Sequence, residues 1–160
     1  MIVTINTDAS FHPKHKIGGY AFWIVCDEGR FSHSGILKKE VDRPEIAEMK
    51  CIINAIYILG ILNFKTISKI IVNTDCLNAI HLFNKRKSSI KKYELEWGLD
   101  LANDLTNQLA KSKLSKVTIE FRHIKSHQHT DTKRNWVNNW CDKAAKKQLW
   151  GKINSEKKIK

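Results

Sequence analysis

Two segments, residues 2–8 and 69–75, are runs of mostly β-branched residues that both end in Thr-Asp. Such runs predict buried strands. An acid at the carboxyl end of a strand lies at the sheet edge where α/β proteins place their chemistry. A single aspartate there would more often begin a turn. Because two strands present one at the same end, we expect Asp8 and Asp75 to lie side by side and form a metal site.

The remaining pattern predicts a mixed sheet flanked by helices. Further strands are expected at residues 20–26 and 30–37, which form an antiparallel meander with the first, and at 116–124. Helices are expected at residues 46–59, 77–83 and 137–150, with a longer one between the second and the last. The α/β class follows from this order.

The first helix has a predicted start signal. Asp42 would be the N-cap residue, Pro44 would lie in the first turn, and Glu45 would complete a capping box. Gly60 would end the helix.

The length of 160 residues predicts one domain, residues 1–150, followed by a charged and frayed tail, residues 151–160. The net charge of +12 favours a polyanionic partner, nucleic acid before membrane. No apolar run has transmembrane length, and the first residues enter a strand without a signal-peptide pattern. We therefore expect a cytoplasmic protein. The four cysteines form no C-x-x-C pair and are predicted to be reduced thiols.

Acids recur where the predicted elements converge. Four carboxylates brought together repel one another strongly unless cations neutralise them. Oxygen ligands suit Mg²⁺ or Mn²⁺, and two such ions can activate a water and stabilise the leaving oxygen of a phosphodiester. The candidate metal ligands are Asp8, Glu48, Asp75 and Asp142.

The order of these acids, with His127 between the last two, resembles ribonuclease H type 1, the enzyme that cuts the RNA strand of RNA–DNA hybrids. The matching segments are residues 7–10 with Gly-Gly-Tyr at 18–20, 47–51 with Ala-Ile at 55–56, 73–75, 124–127 and 138–145. The resemblance covers almost the whole chain. It implies a ribonuclease H-like fold, with three antiparallel strands and then two parallel ones, and a catalytic domain over residues 1–150. It also implies a monomeric endonuclease that uses two Mg²⁺ ions, or Mn²⁺, and leaves 5′-phosphate and 3′-hydroxyl ends.

The resemblance also implies roles for single residues. Asp8, Glu48, Asp75 and Asp142 would be catalytic metal ligands, and His127 would be an auxiliary catalytic residue that helps product release or proton transfer. Two alternatives stay open. Glu45 is a rival to Glu48, and His129 is a rival to His127.

Several positions depart from the family pattern. Pro44, Glu45, Cys76 and Leu77 replace side chains that read the minor groove of the hybrid, and Lys14 replaces a loop asparagine. The hybrid would then be held mainly through backbone groups and phosphate-directed lysines. Residues 85–92 would partly substitute for the family's basic protrusion. The predicted substrate-binding residues are Ser10, Lys14, Lys85, Arg86, Lys87, Lys91, Lys92 and Asn138.

Two other functions remain possible at this stage. The chain could bind hybrids or double-stranded RNA with little catalysis, or it could be another nuclease on the same fold, such as a resolvase or integrase domain. The intact set of four acids favours an active enzyme, and the helix glutamate with the loop histidine favours ribonuclease H.

Overall fold

The computed structural model describes residues 1–84, 92–125 and 133–159 of the chain. In chain order, its elements are β1 (Ile2–His12), β2 (Ile17–Cys26), β3 (Gly29–Ile36), α1 (Pro44–Ile61), β4 (Lys69–Thr74), α2 (Leu77–Phe83), α3 (Lys92–Ala110), β5 (Thr118–His123) and α4 (Lys133–Ile159). The five strands form one sheet in the order β3-β2-β1-β4-β5.

The sheet has an antiparallel half and a parallel half. β1 pairs antiparallel with β2, which pairs antiparallel with β3, whereas β4 runs parallel to both β1 and β5. β1 is therefore the central strand, as the alternation of its residues predicts. The register places Asn6 beside Asn73. Asp8 and Asp75 each follow two residues later, so the predicted fold and the shared edge are both confirmed.

The face of the sheet toward α1 carries the main core. Ile5, Phe22 and Ile24 of the sheet are fully buried, as are Ile52 and Ile56 of α1. Burial of a large apolar side chain contributes roughly 1.5–3 kcal/mol relative to exposure. This packing fixes α1 against β1. Glu48 of α1 is thereby directed toward the acids at the end of β1.

The opposite face packs against α4 through small residues. Ala21, Cys141 and Ala145 form its buried centre. A Cβ atom at Gly19 would clash with the Ala145 carbonyl oxygen, so only glycine allows α4 to approach β2 this closely. Gly19 thus sets the depth at which α4 carries Asp142.

Some predicted boundaries were wrong. α1 begins at Pro44 with Arg43 as its N-cap residue, and no side chain caps it. The predicted capping box of Asp42 and Glu45 is therefore absent, and Asp42 lies 3.8 Å from the Lys16 ammonium group in an exposed ion pair. α1 also continues past Gly60 to Ile61.

The last helix is longer at both ends than predicted. α4 extends through Ile159, and Ile153 is fully buried, so the described part of the tail is helical rather than frayed. An apolar contact of this kind stabilises a helix end that composition alone marks as charged. Whether residues 151–160 act as a separate tail stays a prediction. β5 is slightly shorter than predicted.

Among the described residues, no helix combines the length and the apolar character needed to cross a membrane.

Candidate active site

Three predicted acids meet at the carboxyl edge of the parallel strands. One oxygen from each of Asp8, Glu48 and Asp75 lies within 4.8 Å of the other two. Asp8 projects from β1, Asp75 directly follows β4, and Glu48 lies in the second turn of α1. The three elements are distant in sequence, and the fold brings their acids together.

Glu48 reaches the cluster because β4 ends before β1 does. β4 stops at Thr74, whereas β1 continues to His12, so the edge of β1 beyond Asn6 has no strand partner on that side. The backbone N–H of Ala9 uses this gap to donate a hydrogen bond to Oε1 of Glu48 at 2.8 Å. Glu48 is only 6% exposed, and no donor among the described residues reaches its Oε2 atom.

The electrostatics of the cluster favour protonation when no cation is present. Burial and the neighbouring charge of Asp75 raise the pKa of Asp8 from 3.8 to about 8. Burial, followed by the charges of Asp8 and Asp75, raises the pKa of Glu48 well above its ordinary range. Both shifts arise because a desolvated carboxylate loses hydration and faces like charges.

These acids fit a divalent cation. Their donors are all carboxylate oxygens, which hard cations such as Mg²⁺ and Mn²⁺ prefer. The buried Oε2 atom of Glu48 is an acceptor without a donor among the described residues, an arrangement that a cation would satisfy. A cation would also remove the repulsion that raises the pKa values of Asp8 and Glu48.

Asp142 lies next to this cluster without belonging to the set within 4.8 Å. Its carboxyl group is within hydrogen-bonding reach of Asp8, and its charge contributes to the raised pKa of Asp8. One of its oxygens also accepts a hydrogen bond from the ammonium group of Lys146 at 3.0 Å, one turn later on α4. Asp142 is thus paired with a basic side chain of its own helix, α4.

A layer of asparagines lies next to the acids; sequence analysis predicted substrate binding for Asn138 but assigned no role to Asn6 and Asn73. Asn73 Nδ2 donates to Asn6 Oδ1 at 3.2 Å, and Asn6 Nδ2 donates to Asn138 Oδ1. These residues precede three of the acids by two positions in the strands and by four in α4. That spacing places each asparagine on the same face as its acid and is the signal that could have identified the layer.

Two buried thiols donate to backbone carbonyl oxygens of the sheet. The Cys51 thiol of α1 lies between the Ala21 carbonyl oxygen of β2, at 3.3 Å, and the Asp8 carbonyl oxygen of β1, at 3.5 Å. The Cys141 thiol of α4 donates to the Asn6 carbonyl oxygen of β1 at 3.6 Å. Burial raises the pKa of both thiols, so both remain protonated donors. The central strands β1 and β2 are therefore contacted by a thiol from each face of the sheet.

His123 is a further neighbour of the site that the sequence left without a role. Its Nε2 atom lies 3.1 Å from the carbonyl oxygen of Asp75. The contact joins the end of β5 to the residue that follows β4.

The predicted substrate-binding residues have different positions. Ser10 is half-buried on β1 two residues beyond Asp8, and Lys14 is exposed in the turn after β1. Asn138 is a member of the asparagine layer. Among the positions that depart from the family pattern, Cys76 is the N-cap residue of α2, and Leu77 is 47% exposed.

Other predictions lie outside the described part of the chain. These are Lys85, Arg86, Lys87, Lys91, His127 and His129. Lys92 begins α3, but its side chain is outside the description. The roles predicted for them stay predictions.

The sheet order and the acid cluster at the ends of β1 and β4 define a protein with the ribonuclease H-like fold. The family model for RNase H matches residues 1–149. The chain therefore belongs to the RNase H family.

Solved structures of this family are similar over nearly their whole length. The N-terminal RNase H domain of Rv2228c from Mycobacterium tuberculosis has a TM-score of 0.68 at 14% identity, with 97% of this chain and 98% of that chain covered. RNase H1 from Halobacterium salinarum gives 0.61 at 14% identity, with coverage of 93% and 98%. LC11-RNase H1, isolated from compost, was solved in complex with an RNA/DNA hybrid and gives 0.64 at 16% identity, with coverage of 92% and 99%. No curated protein matches the chain.

Proposed function

We propose that this protein is an endonuclease that hydrolyses the RNA strand of RNA–DNA hybrids and leaves 5′-phosphate and 3′-hydroxyl ends. The observation that carries the proposal is the meeting of Asp8, Glu48 and Asp75 within 4.8 Å, with Asp142 beside them. The resemblance noted in the sequence assigns these acids to the motif positions of the RNase H family, and the match of the family model to residues 1–149 supports that assignment.

In the proposed mechanism, Asp8, Glu48, Asp75 and Asp142 would hold two divalent cations, Mg²⁺ or Mn²⁺. Bound cations of this kind supply Lewis-acid activation of a water and stabilisation of the leaving oxygen. The protein contributes a rigid ligand set. Glu48 is oriented by the Ala9 amide, and the Cys141 thiol of α4 donates to the Asn6 carbonyl oxygen of β1.

The charge of the chain supports a nucleic-acid substrate. A net charge of +12 would attract the two phosphate strands of a hybrid. LC11-RNase H1, a structural neighbour, was solved with an RNA/DNA hybrid bound. We propose that this chain selects hybrids by sensing 2′-hydroxyl groups and A-like groove shape. We also propose that it acts as a monomer and in the cytoplasm.

The test is a cleavage assay on one labelled sequence prepared as RNA–DNA hybrid, RNA duplex, DNA duplex and single strands. Each substrate is incubated with Mg²⁺, with Mn²⁺ and with EDTA. The expected result is cleavage of the RNA strand of the hybrid alone, abolished in EDTA and in the Asp8→Asn variant. Mapping the ends of the fragments tests the predicted 5′-phosphate and 3′-hydroxyl products.

Two results would replace this proposal. Tight hybrid binding without cleavage in either metal would indicate a binding module. Metal-dependent cleavage of branched or duplex DNA would indicate another nuclease activity on the same fold.

A further inference from the structure

Three amide side chains form a directed chain of hydrogen bonds across the interface between the sheet and α4. Asn73 of β4 donates to Asn6 of β1, and Asn6 donates in turn to Asn138 of α4. Asn73 is 3% exposed and Asn6 is 5% exposed. We call these three residues the asparagine ladder.

The ladder joins the same three elements as three of the acids above it. Asp75 follows Asn73 by two residues after β4, and Asp8 follows Asn6 by two residues in β1. Asp142 follows Asn138 by four residues, about one turn of α4. A movement of α4 relative to the sheet would therefore have two effects at once. It would displace Asp142 from Asp8, and it would strain the hydrogen bond between Asn6 and Asn138.

Apolar packing in this interface joins α4 to β2. Its buried centre has small side chains such as Ala21, and Trp23 of β2 packs edge-to-face against Trp136 and Trp140 of α4. The strands that carry Asp8 and Asp75 are β1 and β4, which contribute none of the described residues of this apolar cluster. Hydrogen bonds between amides have a preferred length and angle, and buried amides that lose a partner are costly. Asn6 holds α4 twice, because its carbonyl oxygen also accepts the Cys141 thiol.

We propose that the asparagine ladder is a positioning device that sets the location of Asp142 relative to Asp8 and Asp75 and thereby tunes the affinity of the site for divalent metal. Its residues act through the acids and do not contact the metal. The inference rests on the proposed function in that it concerns the same acid cluster.

The test compares wild-type protein with Asn6→Leu, which removes both side-chain hydrogen bonds at similar size. Thr4→Val is the matched control. Thr4 lies two residues before Asn6 on the same face of β1 and is not part of the ladder. Mn²⁺ binding is measured by electron paramagnetic resonance of the free ion, without substrate. Mg²⁺ dependence, kcat and KM are then measured on a hybrid.

We expect Asn6→Leu to raise the Kd for Mn²⁺ by about tenfold or more, the usual effect of removing a group that orients metal ligands. The Mg²⁺ concentration for half-maximal cleavage should rise in parallel, and kcat should fall while KM for the hybrid stays unchanged. Thr4→Val should resemble the wild type. A folded Asn6→Leu variant with wild-type Mn²⁺ affinity would overturn the inference.

A double variant separates positioning from simple packing. Asn6→Leu with Asn138→Leu replaces one hydrogen bond by an apolar contact, so its Tm should recover part of the loss caused by Asn6→Leu alone. A positioning role predicts that Mn²⁺ affinity stays low in this variant. Recovery of Tm and Mn²⁺ affinity together would show that the ladder only stabilises the fold.

Two further outcomes of this experiment would also be informative: an Asn6→Leu variant that does not fold, and a wild type that binds Mn²⁺ without cleaving a hybrid. If Asn6→Leu does not fold, Asn138→Leu at the half-buried end of the ladder is used, with the same expected rise in Kd and the same overturning result. If the wild type binds Mn²⁺ but does not cleave a hybrid, the proposed function fails, while the Mn²⁺ affinities still decide the role of the ladder.

Discussion

The backbone N–H of Ala9 donates to Oε1 of Glu48 at 2.8 Å and so connects the central strand directly to a buried acid of α1. The bond uses one oxygen of the carboxylate. The other oxygen, Oε2, is buried without a donor among the described residues. Because an unpaired buried acceptor is costly, this geometry favours a bound cation and supports the proposal that Glu48, rather than Glu45, is the metal ligand.

Glu48→Gln and Glu45→Gln form a matched pair on the same helix. Glu48→Gln should reduce hybrid cleavage by about a hundredfold or more, because it removes a charge that stabilises the metal site. Glu45→Gln should retain near-wild-type cleavage, since Glu45 is partly exposed and does not cap α1. Initial rates in Mg²⁺, with folding checked by circular dichroism, measure both. Equal losses in the two variants would contradict the assignment of Glu48.

Without metal, thermal stability should decrease as the pH rises from about 4 to about 8. Folding raises the pKa of Asp8 from 3.8 to about 8, so its contribution is fully present below the lower value and is lost as the pH passes the higher one. Asp8→Asn should flatten this part of the curve and raise Tm at pH 8, because an amide carries no charge. Calorimetric melting in EDTA across this pH range measures the effect.

Mg²⁺ provides the complementary measurement on the same proteins. It should raise the wild-type Tm more at pH 8 than at pH 5, because binding competes with protons for the carboxylates. The Asp8→Asn variant should show a smaller Mg²⁺ shift. A metal-free wild type whose Tm rises steadily from pH 4 to pH 8 would refute the raised pKa of Asp8.

His127→Ala should slow turnover far less than removal of an acid, because the resemblance assigns His127 to product release or proton transfer and not to metal binding. Steady-state and single-turnover rates are compared for His127→Ala and for His129→Ala as its control. If the His129 substitution is the damaging one, the role belongs to His129.

Neutral residues in place of Lys85, Arg86, Lys87, Lys91 and Lys92 should weaken hybrid binding with little effect on the saturated cleavage rate. For each phosphate that is no longer neutralised, the slope of log K against log salt should decrease by roughly 0.7 to 0.9. A variant with Lys14 and Lys16 neutralised serves as the comparison. Both lysines lie between β1 and β2, in a different part of the chain from residues 85–92. Identical salt slopes for the wild type and the five-residue variant would move the binding role to Lys14, Lys16 and the C-terminal lysines.

The first strand shows what can be predicted from sequence. Its run of β-branched residues predicts a buried strand. The repeated Thr-Asp ending predicts that Asp8 and Asp75 lie at the same edge of the sheet. Short-range signals were less dependable. The Asp42–Pro44–Glu45 pattern predicted a capping box, but Asp42 pairs with Lys16, and α1 begins without a side-chain cap. The position of a helix start therefore depended on the folded chain and not on this local pattern alone.

The sequence by itself determined that Asp8 and Asp75 lie at one edge of the sheet, because strand periodicity and the repeated Thr-Asp ending depend on neighbouring residues. The hydrogen bonds that hold the site residues were decided only by tertiary structure. Ala9 bonds Glu48 because β4 ends early, Gly19 matters because α4 passes over it, and Asn6 meets Asn138 across 132 positions. Contacts between distant segments depend on strand register and helix depth, which arise from packing the whole core at once.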